Sequence, residues 1–311
     1  MSKYRSDLPQ LNGNVYLADG GLETDLIFNH GIEIPEFAAH TLLNDEAGRR
    51  ALAEYFRRFL RLAQTFETGF VLDTQTWKAH VHWASDLGVS EEELRKANED
   101  SVAFVSSLRD EFHTNSQPIV LSAIVGPRGD GYAPESLLET EEAEEYHSRQ
   151  LGWLAQTEVD MVAGVTFNQA YEAAGFVRAA NASDLPAVIS FTTETDGRLP
   201  SGQPLQEAIE TVDELTDRGA EYFMVNCAHP DHFFHVLDDA GWCRRIRGLR
   251  CNASRRSHAE LDSCDTLDAG DPVELGNLYR SILQRMPWLN IFGGCCGSDL
   301  RHVTQIARAV L

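Results

Sequence analysis

A (β/α)₈ barrel is the fold this sequence predicts, on three observations. Short runs of Val, Ile, Leu and Phe recur from one end of the chain to the other. Between them lie longer segments with apolar residues at helical spacing, and strand–helix alternation along one chain builds a parallel sheet. The chain has 311 residues, enough for eight such units of about 39 residues each, which suits a barrel with some insertions. An open, doubly wound sheet is the other arrangement of the same alternation. Residues 1–311 read as a single domain.

The first strand is expected at 15–18, ending at the turn Asp19-Gly20-Gly21. A helix over 47–66 follows, with Leu52, Phe56, Phe59, Leu60 and Ala63 on one face. The second strand, 70–72, leads into Thr74 and Trp77. The next helix, 91–112, opens at Ser90 with Glu93 three residues on, a pairing in which each side chain satisfies the other's free backbone amide. Strands are then expected at 119–124, 161–165, 187–191 and 222–225. The seventh, 246–251, is the poorest, because Arg247 and Arg250 interrupt its apolar run. Residues 253–272 form a long polar stretch containing Ser254, Arg255, Arg256, His258, Asp262 and Asp268. Structureless loops of that length in a compact domain are usually functional, and after a barrel strand this one would lie over the catalytic face. The last strand, 289–292, precedes a helix capped by Ser298 or Asp299, with Val303, Ile306 and Val310 as its apolar stripe.

Composition narrows the partners. Lys and Arg number 26 against 48 Asp and Glu, so the formal charge is -22. That charge repels phosphate backbones and anionic lipid, which argues against nucleic acid and membrane as partners, and it otherwise favours solubility. Residues 1–7 lack the apolar stretch of a secretory signal, and no run approaches the roughly 20 apolar residues of a spanning helix. A cytoplasmic location is expected. Six cysteines, unevenly spaced in a chain this long, are expected as reduced thiols.

In a parallel barrel the carboxyl ends of the strands meet on one face, so residues far apart in sequence converge there. Cys227 ends the sixth strand, and Cys295 and Cys296 end the eighth within Gly293-Gly294-Cys295-Cys296-Gly297. One such cysteine alone would read as a small buried hydrophobe, and the adjacent pair alone could form a vicinal disulfide. All three together read as a zinc site. Three soft sulfur ligands hold Zn²⁺ and leave one tetrahedral position open, where a substrate thiol would lose its proton and become a nucleophile. Gly293 and Gly294 would let the backbone take conformations that adjacent ligands need. Cys243, Cys251 and Cys264 read as packing residues.

Other candidates are less specific. Asp19, Gly20 and Gly21 form either a tight turn that presents amides and a carboxylate to a small polar ligand, or a structural turn with Asp19 capping a helix. The ring face of Trp77 suits a sulfonium or quaternary ammonium group, although packing explains it as well. His80 and His82 form a His-x-His pair, with His229, His232 and His235 further on. A metal-dependent hydrolase would use such histidines with carboxylates, but this pair stands several residues past the second strand, where surface or packing roles fit better. A non-catalytic protein sensing oxidants or soft metals through Cys295 and Cys296 is the third class.

The motifs Asp19-Gly20-Gly21-Leu22-Glu23-Thr24, Thr74-Gln75-Thr76-Trp77-Lys78-Ala79, Ser190-Phe191 with Asp196-Gly197-Arg198 and Gly202, Asn226-Cys227 and the Gly-Gly-Cys-Cys-Gly run occur in that order. In these the chain resembles the homocysteine S-methyltransferase family over nearly its whole length. The resemblance implies a zinc-dependent barrel in which Cys227, Cys295 and Cys296 bind the metal and the Asp19-Gly20-Gly21 turn helps hold an amino acid acceptor. Thr74, Trp77, Thr166 and Asn226 join the turn as candidate substrate contacts. The implied reaction moves a methyl group from a sulfonium or betaine-type donor to homocysteine or a related thiol or selenol, a step of methionine biosynthesis. The partners would be these small molecules, with a homo-oligomer among the compatible assemblies. Two positions depart from the family pattern. Val165 stands where a Glu usually meets the acceptor's polar end, so Asn168, Glu172 or the 253–272 stretch would have to substitute, or the acceptor is a different thiol. In Arg250-Cys251-Asn252 only Asn252 matches.

Overall fold

Alternation of strand and helix closes into a ring in the computed structural model of the chain, which describes residues 2–114, 116–134 and 136–311; Met1, Asn115 and Glu135 lie outside the described residues. Eight parallel strands form a closed barrel in sequence order. They are β1 (Tyr16–Leu17), β2 (Gly69–Asp73), β3 (Ile119–Val125), β4 (Met161–Phe167), β5 (Ala187–Phe191), β6 (Ala220–Asn226), β7 (Ile246–Cys251) and β8 (Ile291–Gly294). Closure depends on β1, whose Tyr16 lies opposite Gly69 of β2 on one side and Ile291 of β8 on the other. The seventh strand forms despite its arginines because successive side chains of a strand point to opposite faces. Arg247 reaches Asn290, donating from Nε at 3.2 Å, and Arg250 points inward, where two carboxylates receive it.

Tyr16, Val71, Val120, Met161, Ala163, Val188, Tyr222, Met224 and Ile291 fill the inside of the barrel, with Leu8 of the N-terminal segment packed against them. A larger apolar layer lies between strands and helices. The helices that build it include α1 (Glu46–Thr65), α2 (Glu91–Phe112), α3 (Thr140–Ala155), α4 (Ala170–Ala182) and α5 (Leu205–Thr216). After β7 come α6 (His258–Asp262), α7 (Pro272–Arg285) and α8 (Leu300–Val310). The apolar face expected for α1 is buried as predicted, and the Asp45 side chain caps the helix by accepting from the Gly48 amide. Asp299 caps α8, while Ser298 donates instead to the Cys295 carbonyl. The 253–272 stretch is less loop-like than its composition suggests. Ser257 and Glu260 cap α6 reciprocally, and Ser254 donates to Asp268 at 2.8 Å.

Ser90 and Glu93 make the expected reciprocal cap of α2. Ser90→Ala should lower stability by about 1 kcal/mol, read as a lower urea midpoint with unchanged slope, whereas Ser90→Asp should keep most of it.

At the end of the barrel away from the cysteines, Asp160 gathers four donors. Its Oδ1 accepts from the amides of Lys3 and Tyr4 at 2.8 and 2.7 Å. Its Oδ2 accepts from Arg109 Nη1 at 3.1 Å and the Leu121 amide at 2.9 Å. Both side chains of the Arg109–Asp160 pair are buried. Among the described residues no helix is long and apolar enough to cross a membrane.

Candidate active site

Cys227 stands immediately after β6 with φ +51°, a left-handed conformation that costs a non-glycine residue about 1–3 kcal/mol unless its surroundings hold it there. They do. Its carbonyl accepts from Asn252 Nδ2 at 2.9 Å, His258 Nε2 at 2.6 Å and Thr192 Oγ1 at 3.4 Å, and its amide donates to the Arg250 carbonyl at 3.1 Å. Cys295, after β8, is tied in turn by its amide to the Cys251 carbonyl at 2.9 Å. The ends of β6, β7 and β8 thus form one hydrogen-bonded platform that brings sulfurs 68 residues apart in sequence together.

Gly293 and Gly294 contribute differently from the expectation. Neither has a positive φ; Gly297 does, at +78°. What they provide is space. A Cβ on Gly293 would lie 2.8 Å from the Asp19 carbonyl oxygen, and one on Gly294 would overlap the Ser298 side chain. The Asp19-Gly20-Gly21 turn packs onto this same loop, where a Cβ on Gly21 would meet the Cys295 carbonyl oxygen at 2.5 Å and one on Gly20 the Ser298 carbonyl at 2.7 Å. The Gly21 amide donates to Ser298 O at 2.9 Å, so it is engaged within the protein.

The sulfurs of Cys227, Cys295 and Cys296 all lie within 4.8 Å of one another. Cys227 and Cys295 are joined as a disulfide, whereas Cys243, Cys251, Cys264 and Cys296 are free thiols. The expectation of six reduced thiols is therefore corrected at this pair, and the reason is geometric: an arrangement that gathers three sulfurs also puts two within covalent reach. Once reduced, the trio fits a soft divalent cation. Burial, with the Glu23 charge adding to it, pushes the Cys296 thiol up to about 11, so thiolate at that position needs a positive partner. Among the described residues this is the group of three able to share an ion.

Around the sulfurs, the predicted residues fall into two sets. Asn226 accepts from the Thr166 amide at 3.0 Å, donates to Thr166 Oγ1 at 2.9 Å, and turns its amide toward Cys295 Sγ at 4.0 Å. Thr166 itself has φ +64°. Trp77 donates from its indole nitrogen to the Val165 carbonyl at 2.9 Å and stays partly exposed at the mouth. Asn226 thus links Thr166 to the cysteines, and Trp77 adjoins Thr166 through the Val165 carbonyl. Thr74 is spent on structure: its hydroxyl pairs with Thr76 at 2.6 Å and accepts from the Ile124 amide at 3.2 Å. Two of the substitutes considered for the missing Glu are partly engaged within the protein, while Glu172 Oε2 and Asn168 Oδ1 have no partner among the described residues. Glu172 Oε1, fully buried, accepts from the Arg128 amide at 2.6 Å and His147 at 3.0 Å, and Asn168 donates to the carbonyls of Asp130 and Gly131.

The histidines lie apart from the sulfurs except through the backbone. His80 stacks on Tyr146 at 3.8 Å and is held neutral by burial, its pKa pushed down to about 3. His229 caps the short helix Pro230–Phe233, and His232 engages the Arg255 carbonyl at 2.8 Å.

Sequence reasoning missed three features. Arg250, noted as a blemish in a strand and as a departure from the family pattern but given no role, sits inside the barrel mouth and donates to both Asp19 and Asp73, with its Nε near the Gly294 carbonyl at 3.4 Å. Asp19 thus caps no helix. Burial pushes its carboxyl up, Arg250 opposes this, and the neighbouring Asp73 adds to the rise. Tyr132, from the loop after β3, places its hydroxyl beside Cys296 and its ring 4.1 Å from His258. His258, from the polar stretch, reaches the Cys227 carbonyl.

The model of the homocysteine S-methyltransferase family matches residues 16–310. The chain belongs to the homocysteine S-methyltransferase family. As a member, it is an S-methyltransferase. It is 26% identical over 253 residues to homocysteine S-methyltransferase 1 of Brassica oleracea var. italica and 25% identical to that of Arabidopsis thaliana, each match covering 74% of both chains. The crystal structure of the homocysteine methyltransferase MmuM from Escherichia coli superposes with a TM-score of 0.76 in its oxidised form, at 15% identity, covering 98% of this chain and 99% of that one. Its metallated form superposes at 0.74, with 16% identity and coverage of 97% and 99%. At that identity the likeness establishes the shared barrel.

Proposed function

We propose that this family member is a zinc-dependent S-methyltransferase, folded as one domain over residues 1–311, whose metal ligands are Cys227, Cys295 and Cys296. The observation that carries the reading is the meeting of the three sulfurs within 4.8 Å at the mouth of the barrel. Zinc bound there would supply a thiolate from the acceptor at neutral pH, with its open position as the acceptor's seat. Asn226 and Thr166 keep the Cys295 side of that seat in place.

Homocysteine remains the best-supported acceptor. The charge that Val165 does not provide is available from the floor of the mouth, where Asp19 and Asp73 face a single guanidinium, Arg250. Two carboxylates against one cation leave a surplus negative charge, and an ammonium group complements it. Trp77 presents an aromatic face for a sulfonium or betaine donor. In the transfer, the acceptor sulfur attacks the donor methyl in line; the new C–S bond forms as the donor's C–S or C–N bond breaks, and the donor leaves as a neutral sulfide or tertiary amine. Holding both partners aligned can contribute up to about 7–11 kcal/mol. Small-molecule acceptor and donor are the partners, and a reducing cytoplasm is the setting in which the three thiols stay available.

The reduced protein, loaded with zinc and given homocysteine with S-methylmethionine, S-adenosylmethionine or betaine, should form methionine, detected by mass spectrometry, with at least one donor. Replacing homocysteine by 4-mercaptobutanoate, which lacks the ammonium group, should lower kcat/KM about 10- to 100-fold, the worth of a charge-assisted hydrogen bond. Folded, zinc-loaded protein that turns over none of the donors would refute the reading.

A further inference from the structure

The Cys227 carbonyl has three donors, and they come from different parts of the fold. Thr192 and Asn252 directly follow β5 and β7 and belong to the barrel rim. His258 does not. It is the first residue of α6, carried by the 253–272 segment, and its contact at 2.6 Å is the shortest of the three. The carbonyl oxygen can only accept, so Nε2 is the donor.

The ring is held on every side. Nδ1 lies 3.2 Å from Glu194, which follows β5, and the Tyr132 ring lies against it at 4.1 Å. The segment that carries it is anchored at several points. The Ala253 amide donates to the Cys296 carbonyl at 3.1 Å. His232 engages the Arg255 carbonyl, and Arg255 pairs with Asp231 and Glu274. One polar segment therefore touches both loops that carry the sulfurs, by the backbone at Cys296 and through an imidazole at Cys227.

We propose that His258 is a positioning residue for the metal centre: by donating to the Cys227 carbonyl it holds that residue in the left-handed conformation that turns its sulfur toward Cys295 and Cys296, so that the site keeps its ion only while the 253–272 segment is docked. The inference rests on the reading of Cys227 as a metal ligand. It does not require His258 to touch metal or substrate. Groups that orient ligands from outside the coordination sphere commonly change metal affinity 10- to 100-fold when removed.

Two variants separate the hydrogen bond from the packing. His258→Leu keeps bulk against Tyr132 but cannot donate, whereas His258→Gln carries a terminal N–H group that reaches a similar place. Each reduced, zinc-loaded protein is challenged with a chromophoric chelator, and far-UV circular dichroism and thermal melting report the fold. His258→Leu is expected to bind zinc about 10- to 100-fold more weakly, with His258→Gln close to wild type. Wild-type affinity in His258→Leu, or equal weakening in both variants, overturns the proposal. Should His258→Leu not fold, Glu194→Ala removes the group facing Nδ1 without touching the donor; weakened zinc binding there supports the proposal, and wild-type affinity overturns it. Cys227→Ser is measured alongside. If it retains zinc, the ligand assignment itself has failed, which is distinguishable from failure of the role given to His258.

Discussion

Cys296→Ser, and equally Cys227→Ser or Cys295→Ser, is expected to remove bound zinc and methyl transfer together. Serine keeps the size of the side chain but replaces a soft thiolate by a hydroxyl that stays protonated at neutral pH, so the trio becomes a pair. Without the ion, the acceptor thiol has no partner to favour its ionised form. A loss of about 1,000-fold or more in kcat/KM, equivalent to about 4 kcal/mol of barrier, is the expected size. Metal content per chain and turnover with homocysteine should fall in parallel across the three variants. Cys264→Ala, on the polar segment and outside the cluster, should change neither. The starting material matters, because Cys227 and Cys295 are joined in the structure. Two electrons and two protons must be supplied before zinc can enter, so untreated protein should take up little zinc and protein treated with a thiol reductant a full equivalent. Full turnover in Cys296→Ser would exclude the metal centre and favour chemistry by histidines and carboxylates.

Asp160→Ala should be the most damaging substitution for stability. Four hydrogen bonds converge on this carboxylate from the N-terminal segment, α2 and β3, and its removal leaves the buried Arg109 guanidinium with the Ser106 hydroxyl and the outlying Glu158 carboxylate, each at 3.4 Å. Breaking one side of a buried ion pair typically costs about 3–5 kcal/mol. Asp160→Asn should cost less, because its carbonyl oxygen can still accept from the amides of Lys3 and Tyr4. Urea denaturation followed by tryptophan fluorescence measures both. Asp160 stands at the barrel end opposite the sulfurs, so the folded fraction of either variant should bind zinc normally, which separates this effect from the cysteine substitutions.

How far the sequence could be read depended on whether the signal was periodic. Strands β5 and β7 and helix α2 fall on their expected bounds, since apolar runs and the Ser90/Glu93 pair are local signals. The three cysteines were legible because strand ends of a parallel barrel must converge. Arg250 was not. A charge in an apolar run looks like an error until its compensation is visible, and that compensation comes from Asp73 and Asp19, 177 and 231 residues away. Gly293 and Gly294 were assigned to backbone freedom when what decides them is the neighbouring loop, whose position no local pattern encodes. Tyr132 was invisible for the same reason, and so was the contact of His258, although its segment was expected over the catalytic face: how irregular segments dock on a rim follows from tertiary contacts.

Strand β8 and the two cysteines after it are made after the other seven strands, and β8 closes the ring by pairing with both β7 and β1. During synthesis, a chain that has finished β6 exposes Cys227 without its companions, and a lone thiol has little hold on a cation. On the proposed assignment of Cys227, Cys295 and Cys296 as the ligands, loading with metal would be confined to barrels that have already closed, and an incomplete translation product would gain nothing from the cell's supply of zinc.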